Sequence, residues 1–161
     1  MALPAYLTLT GEKQGVIKGS CAQRGRENTI LVQAVEHDVS IPRDLQTGLA
    51  TGKRVHHPLT IVKAVDKASP LLYMALTTGE HLKSVELKWY QINEKGQEEN
   101  YFITALEDAI IVSMKAWKKN CLDPAFAHLG DMEDVSFTYR KIMWRWVKDG
   151  VESEDDWSAP R

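Results

Sequence analysis

Apolar residues recur at every second position through most of this chain, a period that marks strands rather than helices. Leu3, Ala5, Leu7 and Leu9 alternate with polar or aromatic neighbours before residues 11–15, bounded by glycines, turn the chain. Residues 30–41 are rich in Val and Ile and close at Pro42. Residues 55–65 form a further β-branched stretch, in which Pro58 predicts an edge position or a bulge. Val85, Leu87 and Trp89 alternate with Glu86, Lys88 and Tyr90 up to Asn93-Glu94-Lys95-Gly96, where Gly96 supplies the left-handed position of a short hairpin loop. The return strand starts near Glu98 and runs towards Lys118, with Phe102, Leu106, Ile110, Val112 and Met114 in one phase. Val135, Phe137 and Tyr139 give way to Ile142, Trp144 and Trp146, one residue out of phase. Either a bulge near Arg140 or burial of both faces would produce that slip.

One segment reads differently. Ser69-Pro70 followed by an apolar run to Leu76 and closed by Gly79 predicts a short helix. Ser69 would cap it, Pro70 suits the first turn and Gly79 the C-terminal cap. Leu72, Ala75, Leu76 and Gly79 would share the docking face. Residues 42–54 form a thirteen-residue connection with two Gly, two Thr and little apolar content. Connections of that length are uncommon in compact domains and tend to carry function. The expected fold is mainly β: a small barrel or sandwich of two packed sheets, one short helix on its side and a long extended loop. The expected organisation is one domain over 1–151 and a polar tail over 152–161.

Composition narrows the function classes. The 161 residues suit one domain, and 43% hydrophobic with 26% charged residues is the balance of an ordinary globular chain. Apolar runs such as residues 109–112 are far shorter than the ~20 residues of a membrane-spanning helix, so no membrane insertion is expected. Twenty Lys and Arg against twenty-two Asp and Glu leave −2, and no basic run stands unanswered by nearby acids. Nucleic acid is therefore not an expected partner. The first ten residues lack a basic region and an unbroken apolar stretch, so they do not read as a signal peptide. Cys21 and Cys121, one hundred positions apart, carry no disulfide-framework or metal spacing.

Candidate chemistry is sparse. His37-Asp38 and His56-His57 stand at strand ends that flank the long loop, which would let them converge. Adjacent His56 and His57 would face opposite sides of an extended segment, too few ligands for zinc. Cys21 with His37 is a conceivable nucleophile–base pair, but no activating motif surrounds it. Neither a phosphate loop nor a nucleophile elbow occurs. No enzyme, cofactor or metal is expected. Trp117 and Trp157 sit among charges, the setting of interface anchors rather than core.

Blocks along nearly the whole chain resemble the haemolysin-coregulated proteins, the inner-tube subunits of type VI secretion systems. They include Ala2-Leu3-Pro4-Ala5-Tyr6-Leu7, Val35-Glu36-His37-Asp38, Thr51-Gly52-Lys53-Arg54 with His56-His57-Pro58, Asp66-Lys67-Ala68-Ser69-Pro70, Trp89-Tyr90-Gln91-Ile92-Asn93, and Met143-Trp144-Arg145-Trp146 with Asp156-Trp157. The resemblance implies a β-barrel that forms hexameric rings stacked into a hollow tube. That tube is built in the bacterial cytoplasm inside a contractile sheath, capped by a spike (VgrG-like) protein, and secreted without a cleaved signal. Its lumen carries or chaperones small effector proteins. On that reading Arg43, Asp44, Gly48, Lys53 and Arg54 of the long loop, Lys95 and Gly96 of the hairpin tip, and Trp157 and Ser158 near the end are candidates for inter-subunit or ring-stacking contacts. Lys53 and Arg54 would find acidic partners on another subunit, from Glu94, Glu98 or residues 152–156. Glu36 is the candidate for the channel wall. The alternative from another class is a monomeric β-barrel with a small ligand in its interior.

Overall fold

Because six of the strands carry a core-facing phase, their alternation closes into a ring. A computed structural model describes residues 1–159. Its strands are β1 (Ala5–Gly11), β2 (Gly15–Ile17), β3 (Ile30–Glu36), β4 (Val39–Ser40), β5 (Val55–His56), β6 (Leu59–Ala64), β7 (Leu82–Ile92), β8 (Glu98–Trp117), β9 (Met132–Trp146) and β10 (Val151–Asp156), with helix α1 (Ser69–Thr78) between β6 and β7. The order β9-β6-β3-β1-β7-β8 returns to β9, a closed six-stranded antiparallel barrel. Short β2 extends the edge of β1, and β4–β5 form a separate two-stranded sheet at the root of the long loop.

The barrel interior is filled by Leu7, Leu9, Ile30, Ile61, Leu87 and Phe137, each at most 1% exposed. Fully burying side chains of that size is worth about 1.5–3 kcal/mol apiece. Helix α1 adds Leu72 and Ala75 to the same cluster, with Leu76 partly buried. Gly79 ends the helix at φ 67°, its amide reaching the carbonyls of Ala75 and Leu76. Ser69 does not cap α1 as its sequence position implies. It is buried, and its hydroxyl is engaged by Glu133 and Lys63. Asp66 takes over at the helix start, accepting from the Ala68 amide at 3.0 Å.

Four expectations change. The stretch over 30–41 is two strands, because the chain turns at His37-Asp38 between β3 and β4. Pro58 likewise divides β5 from β6. The phase slip on β9 is no bulge at Arg140: Glu107 pairs with Lys141 and Ala109 with Tyr139 in unbroken register. The same slip occurs at Leu82–Val85 on β7 and Leu106–Ala109 on β8, where Asp108 takes φ 51°. It is a corner shared by three strands, and the β8–β9 bulge lies instead between Ile111 and Ser113. Finally, half of the expected tail is a strand. Residues 151–156 pair with β9 from Trp146 to Lys141, because β6 covers only the first part of that edge.

Candidate functional site

The long loop is an arm with its own backbone economy. Asp44 accepts from the Gln46 and Thr47 amides at 2.7 and 3.1 Å, and its carbonyl accepts from the Gly48 amide. The Asp44 amide reaches the Leu49 carbonyl, and the Thr51 amide that of Pro42. Gly48 sits at φ 74°, a left-handed position that glycine takes without strain. Much of the arm's backbone is thus hydrogen-bonded locally while its apolar side chains stand in water: Leu45 is 88% exposed and Leu49 69%. The backbone amides bound to the Asp44 carboxylate hold it below the usual carboxylate range. Arg43 and Lys53 are exposed.

Arg54 departs from expectation. Rather than awaiting another subunit, its guanidinium grips Asp155 of the same chain at 2.6 and 3.1 Å and the carbonyls of Asp156 and Ala159 at 3.0 and 3.2 Å. Two parallel charge-assisted bonds fit a carboxylate face well. Glu98 is also engaged within the chain, by Arg26 at 2.8 Å, whose guanidinium lies over the Tyr90 ring. The residues after β10 fold back as a strap: Trp157 Nε1 donates to the Tyr139 carbonyl at 2.5 Å, and Arg140 pairs with Asp156.

His37 and His56 do converge, through a residue the sequence did not single out. The Tyr139 hydroxyl lies 2.7 Å from His37 Nε2 and 2.7 Å from His56 Nδ1, while His56 Nε2 lies 2.7 Å from Asp155 Oδ2. His56 is buried and His57 half exposed, the opposed facing expected of neighbours. Burial, and then the charge on His56, push His37 below the ordinary histidine range. Burial and Asp155 push the Tyr139 phenol up. Cys21 and Cys121 are free thiols. Among the described residues no group of three His, Cys, Asp or Glu side chains is placed to hold a metal ion.

At the hairpin tip, Asn93 Oδ1 accepts from the Lys95 and Gln97 amides, both at 2.9 Å, and Gly96 turns the chain at φ 75°. Trp157 and Ser158 instead rim an open concavity of about 450 Å³ with His81, Asp108, Ile110 and Arg140. Between Glu98 at the foot of the tip and Asp108 in that concavity, β8 runs about 30 Å. The tip of one chain therefore cannot fill its own concavity. Glu36 is exposed at the end of β3 beside His37 and His57. Trp117 is tied to Asp134 by its indole N–H at 2.8 Å, on the face of the β8–β9 hairpin.

A second polar cluster lies on the barrel wall beside the helix start. Lys63 and Glu133 occupy the core-facing phase of β6 and β9 and pair directly across the ladder. Charge on an apolar phase in two neighbouring strands is the signal that reveals such a pair. Asp155 and Tyr139 had no comparable local signal.

The chain matches the family model described as type VI secretion system effector, Hcp, over residues 6–146. It is 49% identical to the major exported protein of Pseudomonas aeruginosa, covering 99% of this chain and 98% of that protein. Among solved structures, an Hcp protein superposes with a TM-score of 0.91 at 34% identity, covering 98% of this chain and 99% of that one. Hcp1 from E. coli EAEC 042, in a form with two tryptophan substitutions, gives 0.86 at 40% identity, covering 97% and 99%. A β-barrel with a lateral helix, matched from end to end at these identities, places the chain in the Hcp family of secreted type VI secretion proteins.

Proposed function

We propose that the protein is a structural subunit of the secreted tube: it closes into homohexameric rings, and the rings stack. The observation that carries this reading is the arm, much of whose backbone is hydrogen-bonded within itself while Leu45 and Leu49 remain in water. Apolar side chains held out on an ordered arm mark a protein contact rather than a solvated loop. Identical subunits joined through unlike surfaces form a ring when the rotation closes and a stack when it does not. Arg43, Asp44, Gly48 and Lys53 on the arm serve the first kind of contact. Lys95 and Gly96 at the tip of one copy, seated beside Trp157 and Ser158 of another, serve the second. Arg54 acts within the chain, fixing the strap that carries Trp157 and Ser158.

In this reading Glu36 faces the channel, which carries small effector proteins, and the spike and sheath are the further partners. The role is mechanical and not catalytic. The ligand-barrel alternative loses ground because Leu7, Leu9, Ile61 and Phe137 occupy the interior. Light scattering on a sizing column tests the ring directly. Six chains of 18.2 kDa give about 109 kDa. A concentration-independent species of that mass is the expected result, and 18 kDa at every concentration would overturn it. Deleting residues 48–52 should lower that mass while leaving the fold intact. Unchanged assembly would remove the arm from the contact.

A further inference from the structure

The polar chain between the arm's root and the strap has an unusual proton count. A phenol has one hydrogen, so the Tyr139 hydroxyl donates to one imidazole and accepts from the other. With both rings neutral every link of the chain is satisfied. His37 Nε2–H donates to the Tyr139 oxygen, the phenol hydrogen goes to His56 Nδ1, and His56 Nε2–H donates to Asp155, 2.7 Å along each link. One added proton is absorbed. It rests on the remaining nitrogen of His37, or on His56 Nδ1, with the His37 hydrogen then carried on its Nδ1 and the phenol hydrogen turned towards His37 Nε2.

A second proton has no such place. Both rings would then present N–H to one oxygen, the phenol hydrogen would lose its imidazole acceptor, and two cations would face each other across a single atom. The surroundings decide which ring gives way. His56 is 6% exposed and braced by Asp155, which Arg54 grips from the arm; the Trp157 ring packs 5.6 Å away. His37 is only half buried at the turn between β3 and β4, facing Trp144, with Asp38 beside it in sequence and His57 across the arm's root. From β10, Asp156 is drawn off by Arg140 of β9. The lowering of His37 by burial and by His56 has the sign this arrangement requires.

We propose that the His37–Tyr139–His56–Asp155 chain is a latch with room for one proton: it holds the arm's root against the barrel until both histidines are charged, and then releases His37. The inference rests on the ring reading only for its consequence, because the segment it frees is the arm assigned there to the subunit contact. Two readouts keep the claims apart: hydrogen exchange reports the latch and solution mass reports the ring.

Exchange of residues 37–41 in the full chain, corrected for the intrinsic effect of pH, is expected to rise at least about tenfold between pH 7 and pH 5. Amides of β1 and β7 should not change. His56→Gln and His37→Gln each leave a single imidazole at the Tyr139 hydroxyl, so either substitution should abolish the rise. An ordinary one-histidine switch would survive in His56→Gln, and that survival would overturn the proposal. Tyr139→Phe should raise exchange of the arm's root already at pH 7 and make it independent of pH. If His56→Gln fails to fold, His56→Asn carries the same test. A flat wild-type profile would sink the latch whatever the solution mass shows.

Discussion

Two polar clusters hold this barrel together at opposite extremes of adjustability. In the first, Lys63 is fully buried and its ammonium reaches Glu133 at 2.5 Å, Asp66 at 2.9 Å and Ser69 at 3.2 Å. An ammonium has three hydrogens and here finds three acceptors. Ser69 in turn donates to Glu133 at 2.6 Å and accepts from the Asp66 amide at 3.0 Å. This cluster joins β6, β9 and the start of α1 with no hydrogen to spare and no histidine in it. The second cluster shares one phenol hydrogen between two imidazoles and joins the barrel to the arm and strap. Saturated donors make a rivet, whereas a shared proton makes a joint that pH can open.

The comparison breaks most sharply at the rivet. Glu133→Ala leaves Lys63 buried with Asp66 as its one carboxylate and Ser69 as its other acceptor, and removing one partner of a buried pair costs about 3–5 kcal/mol. Urea unfolding should show that loss. The double replacement Lys63→Met with Glu133→Leu should recover most of it, because an apolar pair of similar volume needs no compensating charge. A double variant as unstable as Glu133→Ala would mean that the charges themselves organise the helix start.

At the joint the effects are smaller. Tyr139→Phe deletes the shared hydroxyl and leaves two imidazole nitrogens without it, a loss of about 1–3 kcal/mol in the same assay. pH sharpens the contrast further. His37 titrates below its unfolded value of about 6.5, so between those two values the unfolded chain binds the extra proton. Its contribution is fully present above about pH 6.5 and is lost as pH falls through that value towards the folded one. Unfolding midpoints measured from pH 8 to pH 5 should therefore decline below 6.5, and His37→Gln should flatten that decline. Deleting residues 48–52 should have the least effect on stability, within about 0.5 kcal/mol, since those side chains touch no core. A larger loss would mean that the arm braces the barrel and not only its neighbours.

Much of this was readable before any fold was known. The hairpin at Asn93–Gln97, the long strand after it and the helix closed by Gly79 all follow from signals a few residues long. Family likeness narrowed barrel or sandwich to a barrel. The errors share one cause. Ser69 carries the right residue type for a cap, yet its hydroxyl is claimed by Glu133, 64 positions away. Arg54 reads as a cation awaiting a partner on another subunit, yet Asp155 lies beside it once β10 docks. Residues 152–156 read as a tail because their acidic side chains show no apolar phase, and what makes them a strand is the vacant edge of β9.

The sequence by itself determined where most of the barrel strands, the hairpin turn and the helix lie, which faces they bury, and that a thirteen-residue arm stands clear of them. Those properties depend on the two-residue alternation of side chains and on glycine's access to positive φ, both local. Only the tertiary structure decided which charges and protons are shared. Arg54 and Asp155 are 101 residues apart, and His37 and Tyr139 are 102. Such pairs exist only because the closed sheet carries distant segments within hydrogen-bond reach, and no local pattern records that closure.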